Sequence, residues 1–304
     1  MWPALELEEW RDTYATLHMW TQIVGKTRLA LAPPQNHWWH TTFYLTARGL
    51  GTGPMAYGSR TLDAEFDFVE HRLVLRTGEG AVQEIALRPR SVAAFYRSYL
   101  AALEALDVHV KLWPMPVEVE QRIRFPDDDV HASYDPDSAN RHWRILAQAD
   151  HVLRRFRAPY LGKCSPVHFF WGSFDLAVTR FSGRRAPERP GADAVTREAY
   201  SHEVFSAGFW PGSGVVQEAA FYTYAAPEPA GLRDALLRPS AAYYQPEMSI
   251  FILPYNAMRT AESPVETLME FLESTYDAAA ELGKWDRDAL ERSGARMVTP
   301  PAPR

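Results

Sequence analysis

Two kinds of hydrophobic periodicity and a repeated order of motifs predict an α+β fold. We expect two pseudo-duplicated units, each an antiparallel β meander flanked by amphipathic helices. Residues 91–106 carry apolar side chains every three to four positions, the spacing of an amphipathic helix. Residues 61–68 alternate apolar and mostly acidic side chains, the pattern of a strand with one wet face. Similar motifs then recur in the same order in the two halves of the chain.

In the first half, the pattern predicts a helix, a β meander and a second helix. Residues 6–24 place Trp10 and other bulky side chains on one helical face, and Gly25 is suited to end that helix. Residues 37–48 are rich in aromatic and β-branched side chains, which predicts a strand. The glycine-containing segment 77–80 predicts the turn of a hairpin.

The second half follows residues 114–136, whose proline and acidic content predicts a linker. Asp135 before Pro136 predicts the N-cap of a helix that runs to residue 156. A capping box at Ser263 predicts the start of another helix. Between these two helices the apolar runs predict four strands, at 167–181, 201–210, 219–225 and 250–253.

The repeated motifs favour an ancient duplication over the alternative of two unrelated α+β segments. Each half has a Trp-Arg pair in a predicted helix, then Gly-Lys, then an aromatic segment that opens on histidine. Those segments are HWWHTTFYL from His37 and HFFWGSFDL from His168. The predicted organisation is an N-terminal unit at residues 1–113, a linker at 114–136, a C-terminal unit at 137–290 and a frayed tail at 291–304.

The bulk composition narrows the class of protein. The 304 residues carry a net charge of −6 and no long basic stripe, which argues against a nucleic-acid partner. The single cysteine, Cys164, excludes an internal disulfide and a multi-cysteine zinc site. Neither a basic and apolar leader nor an apolar run of about 18 residues occurs. We therefore expect a cytoplasmic protein with no membrane span, while the composition leaves the oligomeric state undecided.

Four long runs of the sequence carry a family resemblance. They are WPALELEEWRDTYATLHMWTQIVGKTRLALAPPQNHWWH from Trp2, HASYDPDSANRHW from His131, GKCSPVHFFWGSFDLAVTRFSGR from Gly162 and YSHEVFSAGFWPG from Tyr200. They resemble an uncharacterised bacterial family of about 300 residues, the domain of unknown function 5996 family, over nearly the whole chain. The resemblance implies a complete member of that family. It implies no activity, cofactor or catalytic residue.

The segment 168–180 is the strongest candidate for a site. As one continuous strand it would place its side chains alternately on two faces. One face would be mostly apolar and would carry His168. The other would combine Trp171 with Ser173 and Asp175, as a ligand pocket does. The alternative is that Asp175 bonds backbone or an arginine on a polar sheet face.

Histidines in three segments suggest a metal site only weakly. His202 and Glu203 are neighbours on one strand and would face opposite ways, so they cannot easily share an ion. His202, His168 and His131 would suit zinc, iron or copper if the fold brought them together. Their spacing matches no standard ligand motif, so no metal ligands are assigned, and the cofactor is unknown.

Other motifs offer ligand contacts beside simpler structural roles. His131 and Tyr134 lie in the linker and would line a cleft between the halves. Arg180 opens an arginine-rich loop that would bind a carboxylate or phosphate, or would simply be solvated. Lys26 and Lys163 each follow glycine, but no complete phosphate-loop motif surrounds them. Cys164 is best explained as a buried filler.

Two functional hypotheses remain. The first is a small-molecule-binding protein, or an enzyme that uses acid-base chemistry in an aromatic-lined pocket. Its catalytic residues would be Asp175, His202 and Glu203, and its ligand contacts would be Trp171, Arg180, His168, Trp210, His131 and Tyr134. The second is a non-catalytic binding or interaction module with a tryptophan-rich surface. The surroundings of Trp171 and His202 in a structure would discriminate the two hypotheses. A closed cavity that holds histidines and carboxylates would favour the first, and an exposed tryptophan-lined patch without convergent ionisable groups would favour the second.

Overall fold

The computed structural model describes residues 2–292 as an α+β protein. Its α-helices are α1 to α7, at Leu7–Leu31, Val92–Ala105, Pro136–Arg157, Ala194–Ala199, Tyr255–Arg259, Pro264–Leu282 and Arg287–Leu290. Strands β1 to β6 are Tyr44–Leu45, Gly49–Gly51, Met55–Tyr57, Arg60–Asp67, Arg72–Thr77 and Val82–Ala86. Strands β7 to β12 are His168–Phe170, Asp175–Arg185, His202–Trp210, Ala220–Ala226, Tyr243–Gln245 and Ile250–Pro254. Short 3-10 helices span Asn36–Thr41, Phe125–Asp127 and Leu232–Asp234.

The strands form two six-stranded sheets. The first has the order β1-β2-β4-β5-β6, with β3 also paired to β4, and every pair in it is antiparallel. The second has the order β11-β12-β10-β9-β8-β7. In its β7–β8 hairpin, His168 is opposite Ala177 and Phe170 is opposite Asp175. The expected α+β class with antiparallel sheets is confirmed.

The chain forms two compact units that interleave along the sequence. Within the described residues, unit 1 comprises residues 2–150, Val167–Ala177 and Phe209–Ala220. Unit 2 comprises His151–Pro166, Val178–Gly208 and residues 221–292. Four of the five divisions fall inside α3, β8, β9 and β10, and the fifth falls between Pro166 and Val167. The predicted linker, residues 114–136, belongs to unit 1, and most of the predicted tail (residues 293–304) lies outside the described residues.

Predicted helices α2, α3 and α6 are confirmed, and α3 begins with the N-cap that the sequence indicated. At the start of α6, Ser263 makes no side-chain capping hydrogen bond to the described residues, so the predicted capping box is not formed. Helix α3 begins at Pro136, and the Asp135 carboxylate accepts a hydrogen bond from the Ser138 backbone N–H at 2.9 Å. Helix α2 begins after Ser91, whose hydroxyl accepts from the Ala94 N–H. An N-cap oxygen satisfies a backbone donor that the first helical turn leaves without a partner.

Helix α1 does not end at Gly25, as the sequence predicted, but continues to Leu31. A Cβ built on Gly25 would lie 2.5 Å from three atoms of the Trp171 indole. The glycine therefore provides close approach for a bulky ring, and it has no capping role. Every residue of α1 from Thr16 to Arg28 is buried, so this helix is central to the core of unit 1.

The predicted strand 37–48 is wrong for most of its length. Asn36–Thr41 is a 3-10 helix in which His37 and Trp38 have φ of 58° and 62°, and β1 contributes only Tyr44 and Leu45. A left-handed backbone at two consecutive bulky residues cannot continue a strand. Composition alone had suggested the strand, and this local geometry overrides it.

The segment 168–180 is also not one strand, which corrects the predicted division into two faces. Residues 171–174 form a turn between β7 and β8, and Phe174 has φ of 60°. Side chains on either side of a turn do not continue one alternation. HFFWGSFDL is therefore strand, turn and strand, while HWWHTTFYL is a 3-10 helix followed by a short strand. The internal duplication stays a prediction.

Aromatic side chains dominate both cores. In unit 1, the Trp20 ring stacks on Phe95 at 4.7 Å between centroids and on Tyr134 at 5.5 Å. In unit 2, Tyr276 packs edge-on against Phe205 at 5.4 Å and Phe156 at 6.1 Å.

Over residues 2–292, no helix combines the length and the apolar character needed to cross a bilayer.

Candidate functional site

The residues predicted to act together are distributed over both units. Trp171 and Asp175 belong to unit 1, and Arg180, His202 and Glu203 belong to unit 2. The turn at 171–174 also separates Trp171 from the strand that carries Asp175 and Arg180. Each residue is therefore considered among its own neighbours.

Glu203 is held by an ion pair with Arg184 in unit 2. Its Oε2 accepts from Arg184 Nη2 at 2.6 Å and from the Ser182 hydroxyl at 2.8 Å. Arg184 also donates to the backbone carbonyl oxygens of Gly283 and Lys284, just beyond the end of α6. A cation bound at a helix C-terminus satisfies carbonyls that have no partner within the helix.

Arg180 is enclosed by aromatic rings within unit 2. Its guanidinium carbon lies 3.5 Å from the Phe156 centroid, 4.2 Å from Tyr276 and 5.0 Å from Tyr160. It donates a hydrogen bond to the Phe156 carbonyl oxygen, and burial lowers its pKa. Because the side chain is only 4% exposed, it suits a structural cation–π contact better than an anion anchor.

The predicted histidines each have a separate polar partner. His202 Nδ1 lies 3.0 Å from the Ser201 hydroxyl, and His168 Nδ1 lies 3.1 Å from the Thr42 hydroxyl. His131 Nδ1 bonds the buried Asp128 carboxylate at 2.8 Å, which raises the pKa of His131. Among residues 2–292, no cluster of three or more histidine, cysteine or acidic side chains could hold a metal ion.

The remaining predicted contacts also lie in unit 1. Tyr134 is bonded through its hydroxyl to His71 Nδ1 at 2.9 Å. Trp210 donates a long hydrogen bond of 3.4 Å to the Ser213 hydroxyl. Asp175 accepts from the Ser173 hydroxyl. Burial raises the pKa of Tyr14, and the negative charge of Asp175 raises it further.

A separate cluster of aromatic rings in unit 1 surrounds Lys26, which lies on the buried part of α1. The Lys26 Nζ lies 4.7 Å from the Trp113 ring centroid, 5.6 Å from Trp171 and 5.9 Å from Phe125. We call these four residues the Lys26 cage. Lys26 is 4% exposed, whereas Trp113 is 57% exposed. The cage therefore buries an amine behind one indole wall that faces solvent.

The electrostatics of the cage are unusual for a lysine. The pKa of Lys26 is lowered to about 8, first because burial penalises the charged ammonium and second because of the Arg122 charge. In the described part of the chain, Lys26 contacts aromatic faces and has neither a carboxylate partner nor a hydrogen-bond acceptor. The three potential donors of a lysine ammonium are therefore without an acceptor among residues 2–292.

Two polar residues one and two turns before Lys26 hold the cage walls in place. Gln22 bonds the Val117 backbone twice, donating to its carbonyl oxygen and accepting from its N–H, both at 2.8 Å. His18 Nε2 bonds the Gly172 carbonyl oxygen at 2.8 Å. These bonds fix the segments that follow Trp113 and Trp171. Burial lowers the pKa of His18 to about 4, so the ring is neutral near pH 7.

We expect Gly25→Ala to destabilise the protein by about 1–3 kcal/mol, because the new methyl overlaps the Trp171 indole. Urea denaturation monitored by tryptophan fluorescence would measure the change. In a double-mutant cycle, Trp171→Leu should relieve most of the cost of Gly25→Ala. A stability for Gly25→Ala within 0.5 kcal/mol of wild type, on the scale of a neutral surface substitution, would contradict the close packing.

The sequence pointed to Trp171 but missed Lys26, Trp113 and Phe125 as a group. One signal was present, namely the rarity of lysine. Among the 32 lysines and arginines, only Lys26, Lys111, Lys163 and Lys284 are lysines. The other three are exposed. Phe125 and Trp113 fall in or beside the predicted linker, and such a segment gives no periodic pattern that would indicate burial.

The fold and the cage define the molecule as an α+β protein with one lysine buried among aromatic rings. The chain belongs to a family of unknown function, DUF5996, whose model matches residues 2–292. The resemblance inferred from the sequence is thus confirmed. No curated protein and no solved structure matches the chain.

Proposed function

We propose that this protein binds a small molecule in the Lys26 cage, and that the ligand presents an oxygen acceptor attached to a flat apolar body. One observation carries the proposal: the Lys26 amine is buried among three aromatic rings and has no acceptor among the described residues. The site differs from the one predicted around Asp175, His202 and Glu203, and retains Trp171 from it.

Energetics favour an oxygen-bearing ligand. A cation–π contact contributes about 2 kcal/mol when desolvated, and transfer of an ammonium out of water costs several kcal/mol. Two of the three rings lie 5.6 and 5.9 Å from the amine, near the 6 Å limit of such a contact, so the rings offset only part of the cost of burying Lys26. A carboxylate or carbonyl oxygen would supply a hydrogen bond to the amine, and it would be stronger if the oxygen were charged.

The walls of the cage favour a flat ligand body. Trp113 and Trp171 each present an extended ring with a polar N–H edge, and flat apolar groups stack on such rings. The Trp171 N–H is already used, because it donates to the Thr41 carbonyl oxygen. Trp171 thus has a fixed orientation, while the exposed Trp113 provides the accessible side.

The alternative function, a partner surface rich in tryptophan, has narrower support. Trp113 is the one tryptophan among the large apolar side chains that are exposed over residues 2–292. One exposed indole can anchor a partner. It also serves equally well as the outer wall of a small-molecule site.

Binding can be tested with phenylacetate and indole-3-acetate, measured by tryptophan fluorescence and by thermal shift. We expect Lys26→Met to weaken binding about 10- to 100-fold, because a charge-assisted hydrogen bond contributes about 1.5–3 kcal/mol. Lys111→Met, which alters an exposed lysine, is the matched control and should bind as wild type does. Equal binding by Lys26→Met and wild type, or no binding of either acid, would count against the proposal.

A further inference from the structure

The choice of lysine at position 26 is informative because this chain uses arginine for most of its positive charge. An arginine at this site would stay protonated at any physiological pH, whereas a lysine amine can lose a proton and form a bond to carbon. The only buried lysine of the four is the one enclosed by aromatic rings. A fixed cation alone would not require this residue type.

The geometry leaves the amine available for covalent chemistry. Its neighbours are ring faces, and none of the described residues offers it an acceptor that would hold the charged form. A pKa near 8 leaves about a quarter of the amine unprotonated at pH 7.5, against about 0.1% for a solvated lysine. The nucleophilic form is thus far more populated than in an ordinary lysine.

A positive charge close to the cage indicates a second feature of the ligand. The exposed Arg122 lies near enough to Lys26 for its charge to lower the pKa of the amine. Arg122 also donates from Nε to the Pro116 carbonyl oxygen at 3.3 Å, which attaches it to the segment that follows Trp113. A ligand carboxylate would be attracted to this guanidinium while the ligand's ring contacts the indoles.

We propose that Lys26 forms an imine with the carbonyl carbon of an aromatic 2-oxo acid, whose carboxylate is held by Arg122 and whose ring packs against Trp113 and Trp171. This inference rests on the proposed function and specifies its ligand class. The neutral amine attacks the carbonyl carbon, and one of its two protons is transferred to the carbonyl oxygen to give a carbinolamine. Loss of the hydroxyl group together with the remaining amine proton yields the carbon–nitrogen double bond and one water, with no oxidant or reductant.

Reductive trapping of the full-length protein tests the imine. The protein is incubated with phenylpyruvate, reduced with borohydride and digested, and modification of each of the four lysines is quantified by mass spectrometry. We expect modification at Lys26 to exceed that at Lys111, Lys163 and Lys284 at least tenfold. Its pH dependence should have a midpoint near 8. Comparable modification of all four lysines would overturn the imine, and this comparison within wild-type protein does not depend on any variant folding.

A non-carbonyl analogue separates failure of the imine from failure of the binding site. Phenyllactate has the carboxylate and ring of phenylpyruvate but a hydroxyl in place of the carbonyl oxygen. If both compounds bind in a Lys26-dependent way and neither is trapped, the imine is overturned and the binding site stands. If neither binds and nothing is trapped, both proposals fail. Lys26→Arg should abolish the trapped product, whereas Lys111→Arg should leave it unchanged, and retention of the product in Lys26→Arg would overturn the inference.

Discussion

Between pH 6.5 and about 4.5, the free energy of unfolding is expected to fall steeply, because three buried histidines resist protonation. Burial is the main cause in each case, and it lowers the pKa of His18 to about 4 and those of His142 and His168 to about 3. All three are buried in unit 1.

The sign follows from proton binding in the two states. Below pH 6.5 the unfolded chain takes up a proton on each of these histidines while the folded chain does not, so acid favours unfolding. Each histidine contributes about 1.4 kcal/mol per pH unit, or about 4 kcal/mol per unit for all three. The loss ends near pH 4 for His18 and near pH 3 for the other two. His131 acts in the opposite direction because its pKa is raised, first by its bond to Asp128.

His142 provides the sharpest variant for this prediction. Neither of its ring nitrogens has a hydrogen-bond partner among residues 2–292, and the ring stacks on Phe174 at 5.2 Å between centroids. We expect His142→Phe to stabilise the protein by about 1 kcal/mol or more at pH 7, since a buried polar group without a partner costs about 1–3 kcal/mol. It should also reduce the pH slope by about 1.4 kcal/mol per unit.

Guanidinium unfolding at pH 7, 6 and 5 would measure both effects. His151→Gln alters an exposed histidine of the same helix, α3, and should leave the slope unchanged. A slope for His142→Phe equal to that of wild type would show that His142 does not contribute to the acid sensitivity.

Gly49→Ala is expected to destabilise unit 1 by about 3 kcal/mol, at the upper end of what overpacking usually costs. A Cβ on Gly49 would lie 1.7 Å from the Phe66 carbonyl oxygen and 2.8 Å from its carbonyl carbon. Both atoms are backbone in β4, so no side-chain rotation can relieve the overlap. Relief requires that β2 separate from β4 where Gly49 is opposite Asp67.

Thermal denaturation would measure the loss, and Gly78→Ala is the matched control. A Cβ on Gly78 would meet its nearest neighbour, Thr61 Cβ, at 3.7 Å, an ordinary van der Waals contact. Gly78→Ala should therefore change the stability by less than about 1 kcal/mol. Similar melting temperatures for the two variants would contradict the backbone contact at Gly49.

Only part of the candidate site could be predicted from the pattern of side chains along the sequence. The choice of Trp171 came from an apolar segment interrupted by polar residues, and this signal led to one wall of the cage. The same signal placed Asp175 beside it on a continuous strand, which the turn at Phe174 rules out. Lys26 is remote in sequence from both Trp113 and Trp171, so no local pattern could associate them.

From the sequence alone we could predict the α+β class, the family, helices α2 and α3, the N-cap of α3 and the alternating strand β4. These features depend on periodicity and on contacts between residues near one another in the chain. Three features became evident only in the folded protein: Gly25 is packed against Trp171, residues 114–136 belong to a folded unit, and Lys26 is enclosed by aromatic rings. Each of these depends on contacts between distant segments, whose energies override local preference and leave no periodic trace in the sequence.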